Sequence, residues 1–204
     1  MSVYTVKRIT GTPDYKNLPV FEIKNFYKTD NYKPVTKGIL ILREDAGFEI
    51  TMWSLEANPR AIYHNPNDLI HTDSCMEAFI NFYPEMPELG YLNVEMNVNA
   101  ASKVSFGTGR HTRNDVVKRN LPHPAVFAEK LEIDGSPAWR VKTIIKFELI
   151  QALYGRSDFS KGHSMRANFY KCGDHTDLPH WGTWSPIGGL DFHSPEYFGN
   201  LVID

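Results

Sequence analysis

The sequence is poor in cysteine, in charge excess and in long apolar runs, and each shortage excludes a class of protein. Only two cysteines, Cys75 and Cys172, occur in 204 residues. Both fall in stretches that read as strands, where free thiols are the ordinary state in a reducing compartment; a disulfide between them is left open. Lys and Arg (22) nearly balance Asp and Glu (24), for a net charge of -2 and a pI near 6.4. That balance offers no basic patch for nucleic acid or for an anionic membrane surface, so a neutral or small partner is expected. Apolar runs such as residues 38–42 fall far short of the roughly 18 residues of a membrane span. Residues 1–9 carry no apolar stretch behind a basic start, which predicts a cytoplasmic protein, or an extracellular one if a leader has been removed. Internal repeats, low-complexity tracts and a G-x-S-x-G nucleophile motif are also missing.

With 42% hydrophobic residues, a chain of this length can bury roughly 70% of its unfolded surface, enough for one core and a single domain over residues 1–204. Residues 2–9 alternate loosely and predict an edge strand. After a turn on Gly11, Pro13 and Asp14, residues 20–23 predict a short strand, followed by loop through Phe26, Tyr27, Asp30 and Pro34. Residues 38–42 and 48–53 flank a charged turn in which Gly47 reverses the chain, the pattern of a hairpin. Residues 58–69, with Pro59, Pro66 and three asparagines, read as loop.

An acidic strand follows at 73–80. The cleanest alternation comes at 91–99, where Leu92, Val94, Met96 and Val98 would face the core and Tyr91, Asn93, Glu95, Asn97 and Asn99 would line the opposite face. Between 100 and 121 the pattern dissolves into Gly107, Gly109 and the basic set Arg110, His111, Arg113, Lys118 and Arg119, read as a solvated surface loop in preference to a phosphate or sugar-acid contact. Residues 126–133 and 139–145 bracket Asp134-Gly135 as a second hairpin, and 147–154 predict one or two helical turns ended by Gly155. Many short strands with almost no helical periodicity predict an all-β, two-sheet antiparallel β-sandwich of jelly-roll or immunoglobulin-like kind.

The last forty residues carry the most chemistry. Met165, Ala167 and Phe169 alternate with Arg166, Asn168 and Tyr170, and 200–203 predicts a closing strand. Between them lie Trp181, Trp184, Phe192, His193, Tyr197 and Phe198, interrupted by Pro179, Pro186, Pro195, Gly188 and Gly189, which exclude a continuous helix. Flat side chains on such a segment form a cap or a ligand platform. The run 192–201, Phe-His-Ser-Pro-Glu-Tyr-Phe-Gly-Asn-Leu, following Trp184-Ser185-Pro186, resembles the closing signature of the family 9 carbohydrate-binding modules. Residues 73–80, Asp-Ser-Cys-Met-Glu-Ala-Phe-Ile, resemble that family's acidic strand, so the likeness runs from about residue 20 to the C-terminus.

The resemblance implies a jelly-roll sandwich that binds sugar without catalysis. It places the family's two clasping tryptophans near His71 and Phe192, its strand glutamate at Glu77, and its arginine and glutamine at Glu95 and Tyr170. Only the glutamate is kept, so a remodelled pocket is expected. Structural calcium, which such modules can carry, finds no Asp-rich loop here.

Sugars are recognised by stacking their C–H faces on aromatic rings while amides and carboxylates hold the hydroxyls. The expected site therefore comprises His71, Glu77, Asn93, Glu95, Asn97, Tyr170, Trp181, Trp184, Phe192 and His193, holding a small saccharide or oligosaccharide, with a glycoside hydrolase as a possible neighbour. Three alternatives stand beside it. The rings could plug the sandwich as core; Glu77 and Glu95 could act as the acid and base of glycoside hydrolysis; or Cys172, Asp174, His175 and His180 could hold a metal for a metal-dependent enzyme. A haem-binding module is disfavoured by Met96, which points coreward.

Overall fold

The computed structural model describes residues 1–29 and 31–204; Asp30, in an expected loop, lies outside the described residues. The chain is mostly β. In order it forms β1 (Val3–Ile9), β2 (Phe21–Ile23), β3 (Asn25–Tyr27), β4 (Thr36–Arg43), β5 (Gly47–Ser54), β6 (Cys75–Asn81) and β7 (Tyr91–Asn97). There follow β8 (Ser102–Gly107), β9 (Asn114–Asp115), β10 (Val126–Ile133), β11 (Ser136–Lys146), the helix α1 (Phe147–Tyr154), β12 (Ser164–Gly173), β13 (His180–Thr183) and β14 (Gly199–Ile203). Strands are hydrogen-bonded in the order β10-β11-β5-β4-β1-β14-β12-β6-β7-β8-β9, with β2 beside β4 and β3 beside β13.

β1 stitches this ladder together. Its first half, Val3 to Val6, pairs parallel with β14, and its second half, Lys7 to Ile9, pairs parallel with β4. The expected edge strand is therefore central, and it breaks the expected antiparallel pairing on both sides. Its loose alternation hid this, because only Tyr4 and Val6 are buried while Val3 stays exposed. Sharing one strand curls the sheet so that its two halves face each other across the core. There Phe21 of β2 stacks on Phe169 of β12 with centroids 3.9 Å apart, and Trp184 leans on both; such pairs contribute about 0.5–1.5 kcal/mol beyond their burial.

Period-2 patterning explains most of the remaining elements. Phe48, Ile50 and Met52 of β5, Met76, Ala78 and Ile80 of β6, and Leu92, Val94 and Met96 of β7 all enter the core. The 43–47 turn forms as expected, since Gly47 adopts φ 137° and a Cβ there would lie 2.1 Å from the Ile145 carbonyl oxygen. Helix α1 buries Leu149, Ile150, Leu153 and Tyr154 and ends at Gly155, which takes the left-handed conformation. Four strands lie where loop was expected: β3, β8, β9 and β13. Of these β8 matters most, because its inward residues Val104 and Phe106 are too few to make a periodic signal amid polar neighbours.

A second apolar layer lies on the opposite face of β6, β7 and β12. Cys75, Phe79, Tyr91, Tyr170 and Cys172 meet Ile187, Phe192 and Phe198 there. The closing segment thus folds over the outer face of the sheet, and between the two lies a cleft.

Candidate functional site

Strand register builds the floor of this cleft. Tyr170 of β12, Glu77 of β6, Glu95 of β7 and Lys103 of β8 are direct cross-strand partners in one row. Alternation puts all four on the same face of the sheet. The adjoining row brings Cys172 opposite Cys75 and Cys75 opposite Asn97. Walls come from irregular segments: His71 from a 3-10 turn (Ile70–Thr72), Asp174 beyond β12, Trp181 on β13, Arg110 and Arg113 between β8 and β9, and Leu190, Phe192 and His193 from the closing segment. The enclosed space is about 320 Å³, at the small end of the roughly 300–1,000 Å³ of small-molecule sites.

The walls are held by hydrogen bonds. Trp181 Nε1 donates to Asp174 Oδ1 at 2.6 Å. Phe192 stacks on Tyr170 at 4.2 Å, and the Tyr170 hydroxyl donates to the Phe192 carbonyl at 2.8 Å. Arg113 Nη1 lies 2.6 Å from His193 Nε2, and the Tyr91 hydroxyl lies 2.7 Å from Nδ1. Nη1 also lies 3.0 Å from Nδ1; because a guanidinium only donates, the imidazole is the acceptor in this contact. Burial and then the Arg113 charge push His193 down to about 3, which keeps the ring neutral.

The floor is electrically unusual. Burial and then the Glu95 charge push the Glu77 carboxyl up to about 8, so it stays largely protonated at neutral pH; Cys172 Sγ lies 3.0 Å from its Oε1. Burial raises Glu95 too, against the opposing charges of Lys103 and His71. Glu95 Oε1 accepts from Asn93 Nδ2 at 3.2 Å, whereas Oε2 has no hydrogen-bond partner among the described residues. The His71 Nδ1 atom is 3.8 Å from it, too far for a hydrogen bond. A buried acceptor left empty costs about 1–3 kcal/mol, and here it belongs to a residue that lines the cleft.

Of the ten expected site residues, His71, Glu77, Glu95, Trp181, Phe192 and His193 line the cleft. The other four do not. Tyr170 is fully buried beneath Phe192 and supports it. Asn93 is fully buried and orients Glu95, so the polar row of β7 is floor rather than exposed surface. Asn97 donates to Asp73 and to the Tyr63 carbonyl, fastening the 58–69 loop. Trp184 belongs to the main core, on the far side of the sheet, which corrects its assignment to the site.

Sequence reasoning missed Lys103 and read the set that holds Arg110 and Arg113 as solvated loop in preference to a phosphate or sugar-acid contact. The basic cluster was visible, but only the turn after β8 shows that two of its arginines face inward. The alternative metal set of Cys172, Asp174, His175 and His180 is not assembled: His175 is exposed, and His180 turns away to accept from Lys171 Nζ at 2.6 Å. Among the described residues the donors that do converge are Cys75, Glu77 and Cys172, within 4.8 Å of one another. Both cysteines are free thiols, raised by burial for Cys75 and by the Cys75 contact and burial for Cys172.

Residues 14–203 match the model of carbohydrate-binding family 9. The chain belongs to that family. Its fold is shared with a candidate carbohydrate-binding protein of Bacteroides uniformis, 24% identical, with a TM-score of 0.80 and 99% of each chain covered. A family 9 module of Caldicellulosiruptor kristjanssonii, solved with cellotriose and with glucose, is 10% identical at a TM-score of 0.66. There all of this chain aligns with 94% and 96% of the two solved chains. No curated protein matches the sequence. Family membership agrees with the motifs at 73–80 and 192–201.

Proposed function

We propose that the cleft binds a saccharide reversibly and without covalent chemistry. The observation that carries this is the buried, unpartnered Glu95 Oε2 beside Trp181 and Phe192. A sugar ring stacked on those side chains brings hydroxyl donors to that acceptor, while protonated Glu77 offers a donor of its own. The family 9 module of Caldicellulosiruptor kristjanssonii holds cellotriose and glucose, which makes these the first ligands to try. Calorimetry and intrinsic tryptophan fluorescence should give saturable binding that Trp181→Ala and Glu95→Gln each weaken about tenfold or more. Undiminished affinity in both variants would remove the site from this cleft.

Hydrolysis is the weaker reading. Glu77 and Glu95 are direct cross-strand partners on one floor, whereas glycosidase carboxyls flank the scissile bond from opposite sides. For the architecture, we infer a single domain with a two-sheet, jelly-roll-like sandwich. The stacking of Phe21 on Phe169 between facing halves supports it.

A further inference from the structure

The cleft is polarised along the sheet, and that polarity bears on what it holds. Strand order runs β13-β12-β6-β7-β8-β9, so Trp181 and Asp174 stand at one end and Lys103, Arg110 and Arg113 at the other. Three strand spacings separate β12 from β8, roughly 14 Å, room for more than one sugar ring. At the aromatic end Asp174 is engaged by the Trp181 indole. On the floor, the proton retained on Glu77 removes one negative charge at neutral pH.

The basic end is not neutralised in the same way. Arg110 pairs with Asp191 at 2.7 Å. Arg113 and Lys103 form no ion pair among the described residues, although Glu95 lies across from Lys103 in the ladder. Arg113 contacts the Arg110 carbonyl and His193 through Nη1 alone, leaving the Nε and Nη2 edge without a protein acceptor among the described residues. Two parallel N–H donors on one edge of a guanidinium match the oxygens of a carboxylate, sulfate or phosphate.

Resting on the saccharide reading above, the geometry points to an acidic saccharide as the ligand, with a sugar ring at the Trp181 end and its anionic group on Arg113 and Lys103. A neutral sugar would leave both cations without an ion pair among the described residues. Four probes test this by calorimetry: glucose, glucuronate, glucose 6-phosphate and N-acetylglucosamine 6-sulfate, with inorganic phosphate as a control for the anion alone.

At least one anionic sugar should bind about tenfold tighter than glucose and tighter than inorganic phosphate. Its advantage should shrink between about 50 and 300 mM salt and vanish in Arg113→Gln or Lys103→Gln variants that keep the wild-type melting midpoint. Which probe wins distinguishes a carboxylate from a phosphate or a sulfate. Glucose binding as tightly as every anionic sugar would overturn the acidic-ligand inference while leaving a sugar site in place. An anion preference that survives both substitutions would overturn the assignment to Arg113 and Lys103. Silence of all four sugars would overturn the saccharide reading together with this one.

Discussion

Glu49 on β5 and Glu95 on β7 are both strand glutamates, 1% and 3% exposed, yet their surroundings differ in kind. Glu49 accepts from the Tyr15 hydroxyl at 2.6 Å and meets Arg43 and Lys142 at 3.3 and 3.1 Å. Glu56, also buried, meets Lys171 at 3.1 Å and accepts from Ser74 and from the Trp139 indole. Burial pushes the Glu56 carboxyl up, but the Lys171 charge and these hydrogen bonds outweigh it and leave it below its ordinary value. Glu95 has one amide contact and an empty oxygen, and its neighbour Glu77 is raised to about 8. Structural carboxylates in this protein are saturated from within, whereas the cleft carboxyls are left short of partners where a ligand could supply them.

The sharpest way to break this comparison is to strip a saturated carboxylate of its cation. Lys171→Met leaves Glu56 buried and unpaired and should cost about 3–5 kcal/mol in denaturant unfolding. The double substitution with Glu56→Gln should recover much of that loss. A comparable contrast separates the two tryptophans of the closing segment. Trp184→Ala opens the main core and should cost about 3–5 kcal/mol, while Trp181→Ala should cost about 1 kcal/mol and act on ligand affinity instead. Were Trp184→Ala benign and ligand-blind, the core would be misassigned.

Next in size comes the glutamate pair itself. Glu49→Gln should destabilise by about 1–3 kcal/mol, since it disturbs a saturated site. Glu95→Gln should leave the melting midpoint level or higher while weakening binding about tenfold or more. The smallest effect is in the pH profile. Because the folded-state pKa of Glu77 lies above the ordinary glutamate value, its stabilising contribution is full below the unfolded value and is lost as pH rises through about 8. Melting midpoints measured from about pH 5 to pH 9 should therefore fall more steeply in the native protein than in Glu77→Gln. Parallel curves would mean that Glu77 ionises as an ordinary surface carboxylate.

How much of this was legible beforehand follows the strength of local signals. The hairpins at 38–53 and 126–145, the helix at 147–154 with its Gly155 stop, and the two faces of β7 all follow from periodicity and turn chemistry within a few residues. Glu95 could be named from the alternation of 91–99, whereas Glu77 was named from the resemblance of 73–80 to the family's acidic strand. Trp184 could not be separated from Trp181. They stand three residues apart in one proline-rich stretch, and only the pairing of β13 with β12 and β3 directs one to the cleft and the other to the core. Arg113 and Lys103 were obscured because charge clusters on irregular chain usually face water.

From its order of residues alone, the chain determined which side chains share a strand face, where it turns and which family it joins, since these depend on neighbours a few positions apart. Tertiary structure alone decided that β1 lies at the centre, that Glu77, Glu95 and Lys103 stand in one row, and that the closing segment covers that row. Those are relations of register and packing between strands tens of residues apart. Burial then set the charge of the cleft, because the cost of ionising Glu77 depends on everything that excludes water around it.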